Sequence, residues 1–336
     1  MIYKSNFQAP LWARNPHAQT ILASKIRRFR FQSGWEEEFN LPDGDFLDLW
    51  WSEHPEKCNL PLVVLFHGLE GSANSNYIIG IQAALLTKGF NSVVMHFRGC
   101  SGRPNRKERG YHSGETTDAR YFIKQLRSRF PTRFIGAIGY SLGGNMLAKY
   151  LGEEGSRSPL SSAAIVCAPL DLAACSHRIA RGFSRQYQRY LLNSLKVSIE
   201  RKRQSGAFKH FQVPHPHVLR AMSSFVEFDD LITGPLHGFK GAADYYLKCS
   251  AKTFVSKIRT PTLIIHAKDD PFMTDRVIPS AKIIPDCVRY ELSEHGGHVG
   301  FVFGTPWAPR YWLEERLPEW ISDSYRQFQE QTKRDT

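Results

Sequence analysis

The chain has 336 residues, 42% hydrophobic and 23% charged, the proportions of a globular protein with a sizeable core. It holds no run of about 18 uninterrupted apolar residues, which excludes a membrane-spanning helix. Lys and Arg outnumber Asp and Glu by 44 to 32; the net charge of +12 favours anionic lipid, an anionic substrate or nucleic acid as partners and is silent about fold.

From the N-terminus, residues 1–24 lack the basic cluster, apolar run and small-residue cleavage site of a secretory signal. Residues 28–40 and 45–51 predict an antiparallel hairpin around the turn Pro42-Asp43-Gly44. Apolar, β-branched runs then alternate with helical patterns, predicting strands at 60–66, 91–97, 133–138, 163–168 and 262–266 and helices at 79–88, 117–130 and 143–152. Nearly continuous Val, Ile, Leu and Phe is what strands buried on both sides require, so the expected fold is α/β, a mostly parallel sheet flanked by helices. A further strand is read at 288–292 and an amphipathic helix at 310–331.

The rhythm breaks at about 171–255, a stretch too long for one crossover helix and punctuated by Pro214, Pro216 and Gly234-Pro235. A helical cap inserted above the sheet explains it, within a single domain spanning 1–336. The first cap helix, roughly 179–203, spaces Phe183, Tyr187, Tyr190 or Leu191 and Leu195 by three to four residues among many arginines. Such a helix either packs its apolar stripe on the domain or docks on an anionic membrane surface. The six cysteines are widely separated, with no Cys-x-x-Cys pair or zinc-ligand spacing, and read as reduced thiols of a cytoplasmic protein.

Chemistry enters at Gly139-Tyr140-Ser141-Leu142-Gly143, a G-x-S-x-G pattern between a buried strand and a helix. That setting is a nucleophile elbow: small neighbours permit the sharp turn, and the helix N-terminus below Ser141 favours developing negative charge. Upstream, the strand at 60–66 ends in His67-Gly68-Leu69-Glu70-Gly71. Acyl transfer needs two donors aimed at the oxyanion, and the backbone N–H groups of Leu69 and Leu142 are the candidates. A serine hydroxyl needs an imidazole base, and the imidazole needs a carboxylate; in this arrangement both follow the serine, acid first. Asp269 and Asp270 compete at the end of the strand at 262–266, with Asp270 favoured because Pro271-Phe272-Met273 follows it and Asp269 expected to cap the turn or the next helix. In Glu294-His295-Gly296-Gly297-His298, His298 follows the glycine pair that lets a loop swing the ring over the serine, and His295 is the alternative.

The chain resembles the YheT-like, or AB hydrolase-4, family of the α/β-hydrolase superfamily. The likeness runs over nearly all of it: Asn15-Pro16-His17-Ala18-Gln19-Thr20-Ile21, His96-Phe97-Arg98-Gly99, the elbow, and His295-Gly296-Gly297-His298-Val299-Gly300-Phe301. Most discriminating are Phe228-Asp229-Asp230, Thr233, His237-Gly238-Phe239, Tyr245-Tyr246 and Ser250 in the cap. Ala267 and Thr274 depart from the family pattern without removing a functional group. The resemblance implies a carboxylic-ester hydrolase with Ser141, Asp270 and His298 as its triad.

The leading expectation is hydrolysis of short- to medium-chain acyl esters through an acyl-enzyme, with no metal or organic cofactor. The substrate would be a small ester with an apolar acyl group. Acyl transfer to an alcohol is the alternative within the same chemistry, and a non-catalytic binding scaffold the alternative outside it. No nucleic-acid-binding motif accompanies the charge, so nucleic acid is not an expected partner.

Overall fold

The computed structural model describes residues 1–25 and 34–335. Its strands are β1 (Ile2–Lys4), β2 (Trp35–Asn40), β3 (Phe46–Trp51), β4 (Leu62–Phe66), β5 (Asn91–Met95), β6 (Ile135–Tyr140), β7 (Ser162–Val166), β8 (Thr262–Ala267) and β9 (Val288–Ser293). Among the described residues they form one nine-stranded sheet in the order β1-β9-β8-β7-β6-β4-β5-β3-β2. Pairing is parallel from β1 through β5 and antiparallel only where β3 meets β5 and β2. Every residue of β4, β5, β6, β7 and β8 is buried, as their apolar composition demands. The hairpin around residues 42–44 is present, but its first strand begins at Trp35, and residues 28–33 lie outside the described part.

The helices are α1 (Pro16–Lys25), α2 (Asn76–Thr87), α3 (Thr117–Arg129), α4 (Leu142–Glu154), α5 (Leu172–Ile179), α6 (Ser184–Gln204), α7 (Pro216–Ala221), α8 (Phe225–Phe228), α9 (Gly234–Leu236), α10 (Ala242–Cys249) and α11 (Leu313–Asp335). Gly136 and Gly139 show how the sheet is covered on both faces. A Cβ on Gly136 would lie 3.2 Å from Ile321 of α11, whereas one on Gly139, on the opposite face, would lie 2.6 Å from the Gly143 carbonyl of α4. Three strands had no signal in the sequence: β1, only three residues long, and β10 (Val302–Gly304) and β11 (Pro309–Tyr311), which pair as a hairpin. The last helix accordingly starts at Leu313, not at residue 310.

Between β7 and β8 the cap is built of α5 to α10, with a single π-helical turn, Asp229–Thr233, between α8 and α9. Leu191 and Leu195 of α6 face inward, while Phe183 and Tyr190 are exposed. Arg98 pins the β2–β3 turn to α3 through Asp43 (2.8 Å), Asp45 (2.8 Å) and Asp118 (2.7 Å). Burial opposes its charge, and the carboxylates more than offset this and raise its pKa. No helix among the described residues is long and apolar enough to cross a membrane.

Candidate active site

β6 delivers Ser141 into a backbone conformation, φ 50° and ψ −117°, that an L-residue adopts only under constraint. The constraint is steric and polar at once. The Ser141 N–H donates to Val166 O (2.8 Å) and its carbonyl accepts from Asn145 N (3.0 Å). A Cβ on Gly143 would lie 2.5 Å from His67 O, and one on Gly144 3.0 Å from Gly139 O, so the helix approaches the sheet this closely only with glycine there. Asn145, fully buried, ties the elbow to its surroundings by donating to Ser113 O (2.8 Å) and Cys249 O (2.9 Å) and accepting from Ala251 N (3.0 Å).

At the end of β8, Asp270 is buried, its Oδ1 accepting from Phe272 N at 2.8 Å. Its Oδ2 stands 2.8 Å from His298 Nδ1, and His298 Nε2 stands 2.9 Å from Ser141 Oγ. A carboxylate only accepts, so Nδ1 carries the proton of the neutral ring and the Nε2 lone pair faces the serine hydroxyl. Phe272 stacks on the imidazole with centroids 4.0 Å apart and 16° between planes, which fixes the ring's tilt. The structure thus brings together Ser141, Asp270 and His298.

Asp269 goes elsewhere. It was expected to cap the local turn or the next helix; instead its Oδ1 accepts from Gly297 N (2.9 Å), and its Oδ2 meets His295 Nδ1 (3.2 Å). Burial raises its pKa. His295 completes a chain to Arg14, whose Nε donates to His295 Nε2 at 2.9 Å. This pair therefore holds the loop that carries His298.

The same loop rests on the N-terminal segment, a support the sequence reading did not assign. The His298 N–H donates to Thr20 Oγ1 (2.9 Å), whose hydroxyl donates to Pro16 O (2.8 Å). Gln19, fully buried, donates to Ala13 O (2.8 Å) and Val302 O (2.9 Å) and accepts from Val302 N (2.6 Å). A Cβ on Gly297, where φ is 58°, would sit 2.6 Å from Pro16 O, which explains the glycine. The only signal was the polar pair Gln19-Thr20 in the segment that carries the family resemblance, and its partners Val302 and His298 lie near the other end of the chain.

The loop after β4 passes over the serine, since a Cβ on Gly68 would lie 3.4 Å from Ser141 Cβ. His67 locks it: Nδ1–H donates to Gly68 O (2.7 Å) and Nε2 accepts from Phe97 N (3.1 Å). Burial and the neighbouring His96 push its pKa down to about 3. Tyr77 OH accepts from Gly68 N (2.8 Å) and Tyr111 OH from Glu70 N (2.8 Å). Leu69 lies between these two held amides, and Leu142 is the first residue of α4, whose first-turn N–H groups have no partner within the helix. Leu69, Leu142, Ser141 and His298 line one cavity of about 140 Å³. Its remaining wall is largely apolar, with Leu172, Ile179, Leu191, Leu195, Phe225 and Met273.

His96, His237 and His266 are structural. His96 and His237 each donate from Nδ1 to a carbonyl (Asp48, 2.8 Å; Thr233, 2.8 Å) and accept a backbone N–H at Nε2. His266 bonds Ala168 O (2.8 Å) and Tyr290 OH (2.7 Å). Among the described residues one group of metal-type donors occurs: Cys167, Asp270 and His298, with ligand atoms within 4.8 Å of one another. Its carboxylate is already bonded to the imidazole and the imidazole to Ser141, and burial raises the Cys167 thiol well above its usual range, so the set fits a proton relay better than a cation.

Residues 61–305 match the family model described as alpha/beta hydrolase fold. The chain is 50% identical over 310 residues to the Escherichia coli (strain K12) protein named "Putative esterase YheT", covering 92% of this chain and 90% of that one. It is 31% identical over 274 residues to the Saccharomyces cerevisiae protein named medium-chain fatty acid ethyl ester synthase/esterase 2, covering 74% of this chain and 60% of that one. Among solved structures, the Pyrococcus furiosus esterase PF2001 superposes with a TM-score of 0.59 at 16% identity, over 87% of this chain and 91% of the other, a likeness of fold.

Proposed function

The chain belongs to the alpha/beta hydrolase family, and from that premise we propose that it hydrolyses carboxylic esters through an acyl-enzyme on Ser141. The observation that carries this reading is the unbroken line from Asp270 Oδ2 to His298 Nδ1, at 2.8 Å, and from His298 Nε2 to Ser141 Oγ, at 2.9 Å. Ser141 Oγ attacks the ester carbonyl as His298 Nε2 takes its proton, and the charge of Asp270 stabilises the imidazolium. The oxygen that becomes negative is received by the N–H groups of Leu69 and Leu142, each worth about 3 kcal/mol in such sites. Collapse of the tetrahedral intermediate expels the alcohol, protonated by His298. The same imidazole then activates water to release the acid. These steps use no metal or organic cofactor. The apolar cavity wall supports a short- to medium-chain acyl group.

Replacing Ser141 by Ala should abolish p-nitrophenyl butyrate hydrolysis with the melting temperature unchanged; full activity in the variant would end the proposal. Acyl transfer to an alcohol is the second reading, favoured by the name of the yeast relative. Formation of ethyl butyrate when ethanol is added would support it. The outward face of α6, with Arg185, Arg189, Tyr190, Val197 and Arg201 exposed, supports contact with an anionic membrane, read out as sedimentation with phosphatidylserine vesicles. The six unpaired cysteines support a reducing compartment, the cytoplasm.

A further inference from the structure

The cap motif from Phe228 to Ser250 is explained by internal bonds at almost every polar member. Asp230 Oδ1 accepts from Ala242 N (2.9 Å) at the start of α10. Tyr245 OH accepts from Ser113 N (2.9 Å), and Ser250 Oγ accepts from Leu172 N (3.0 Å). His237 bridges Thr233 O and Gly110 N. Asp229 has internal partners as well, and differs in what it faces. Its carboxylate lies on the wall of the cavity that holds Ser141 and His298, at the start of the single π-helical turn, a distortion often found at functional sites.

Tyr246 OH donates to Asp229 Oδ2 at 2.7 Å, and no Lys or Arg pairs with Asp229 among the described residues. The hydroxyls of Tyr246 and Thr233 hydrogen-bond the carboxylate within the cap, but no cation balances its charge, which is costly away from water. Thr233, which bonds the carboxylate, and Ser176, whose hydroxyl donates to Ala173 O, line the same cavity. A bound hydroxyl both donates and accepts, which suits a carboxylate set among hydroxyls; an ammonium only donates.

We infer that Asp229 is a specificity-determining residue that accepts a hydrogen bond from a free hydroxyl on the substrate, so that the preferred substrates are hydroxyl-bearing esters. The inference rests on the esterase reading, since it assigns the substrate class of that same cavity. The hydroxyl has two sources, the alcohol moiety or the acyl chain, and the assay separates them. Ethyl butyrate is compared with 2-hydroxyethyl butyrate, butyl butyrate with 4-hydroxybutyl butyrate, and ethyl hexanoate with ethyl 6-hydroxyhexanoate.

In at least one pair the wild type should favour the hydroxylated ester by tenfold or more in kcat/KM, mostly through KM. Asp229→Leu should bring that ratio close to one, whatever it does to the rate on the plain ester. Where Asp229→Leu fails to fold, Asp229→Asn keeps the shape, weakens the acceptor by removing its charge, and should cut the preference at least threefold. A wild-type ratio near one in every pair, a ratio unmoved in the variants, or preference for 2-aminoethyl butyrate over 2-hydroxyethyl butyrate would overturn the inference. Plain esters turned over by wild type and not by Ser141→Ala show that the underlying reading stands even when discrimination is absent; no turnover of any ester overturns both.

Discussion

Acidification should weaken the fold by an amount that can be worked out from two buried histidines. His67 and His266 are almost wholly inaccessible, and burial pushes their pKa values down to about 3 and about 4 from 6.5. Protonating His67 would also set an N–H against the Phe97 N–H that its Nε2 now accepts. The unfolded chain therefore binds a proton at each site as pH drops below 6.5, while the folded protein does not, so stability falls with pH. Between pH 7 and pH 5 this costs about 2 kcal/mol per histidine, roughly 4 kcal/mol for the pair. Asp229 works the other way: burial raises its pKa from 3.8 to about 6, so the folded state gains a proton over the same interval. That returns about 1 kcal/mol and leaves a net loss of roughly 2–3 kcal/mol. The lowered pKa values of His96, His112 and His237 act with the pair, and the raised one of Asp269 with Asp229. Urea unfolding at pH 7, 6 and 5 measures the sum, and His266→Gln supplies the control. The variant starts less stable at pH 7 but should lose about 2 kcal/mol less on the way to pH 5. Stability that is flat or rising toward pH 5, or a variant that parallels the wild type, would refute the reasoning.

Asp270→Asn preserves shape but removes the charge beside His298 Nδ1, and should lower kcat for p-nitrophenyl butyrate on the order of 10,000-fold with little change in melting temperature. Thr20→Val takes the acceptor from the His298 amide; it should cost roughly 1–3 kcal/mol of stability, and kcat should drop by tenfold or more as the loop loses its position. Gly143→Ala would set a methyl 2.5 Å from His67 O and 2.6 Å from Phe66 O, both backbone atoms, so a loss of roughly 1–3 kcal/mol or more is expected in chemical denaturation.

The centre of the sheet was legible because strands buried on both faces must be nearly all apolar, and β4 through β8 leave little room for another reading. β1 was invisible because Ile2, Tyr3 and Lys4 are too few to show a period and are ordered by pairing with β9. The β10–β11 hairpin failed for the same reason, with three residues in each strand. At the site, Ser141 and His298 stood out through their glycines, which the close approaches of Gly143 and Gly297 require. The work of Thr20 could not be read locally, since its hydroxyl serves a residue 278 positions away. Asn145 was read only as part of a helix, and its three bonds reach Ser113, Cys249 and Ala251 across separate elements. Asp269 was misjudged because adjacent carboxylates leave a strand end in different directions, and its partner Gly297 lies in a loop folded back from far along the chain.

The most direct test of the catalytic assignment is covalent. Incubated with a fluorophosphonate at neutral pH, the protein should gain one adduct, located by peptide mass spectrometry on Ser141, and His298→Ala should slow its formation at least a hundredfold. A chain that stays unlabelled, or one labelled at another residue, would contradict it.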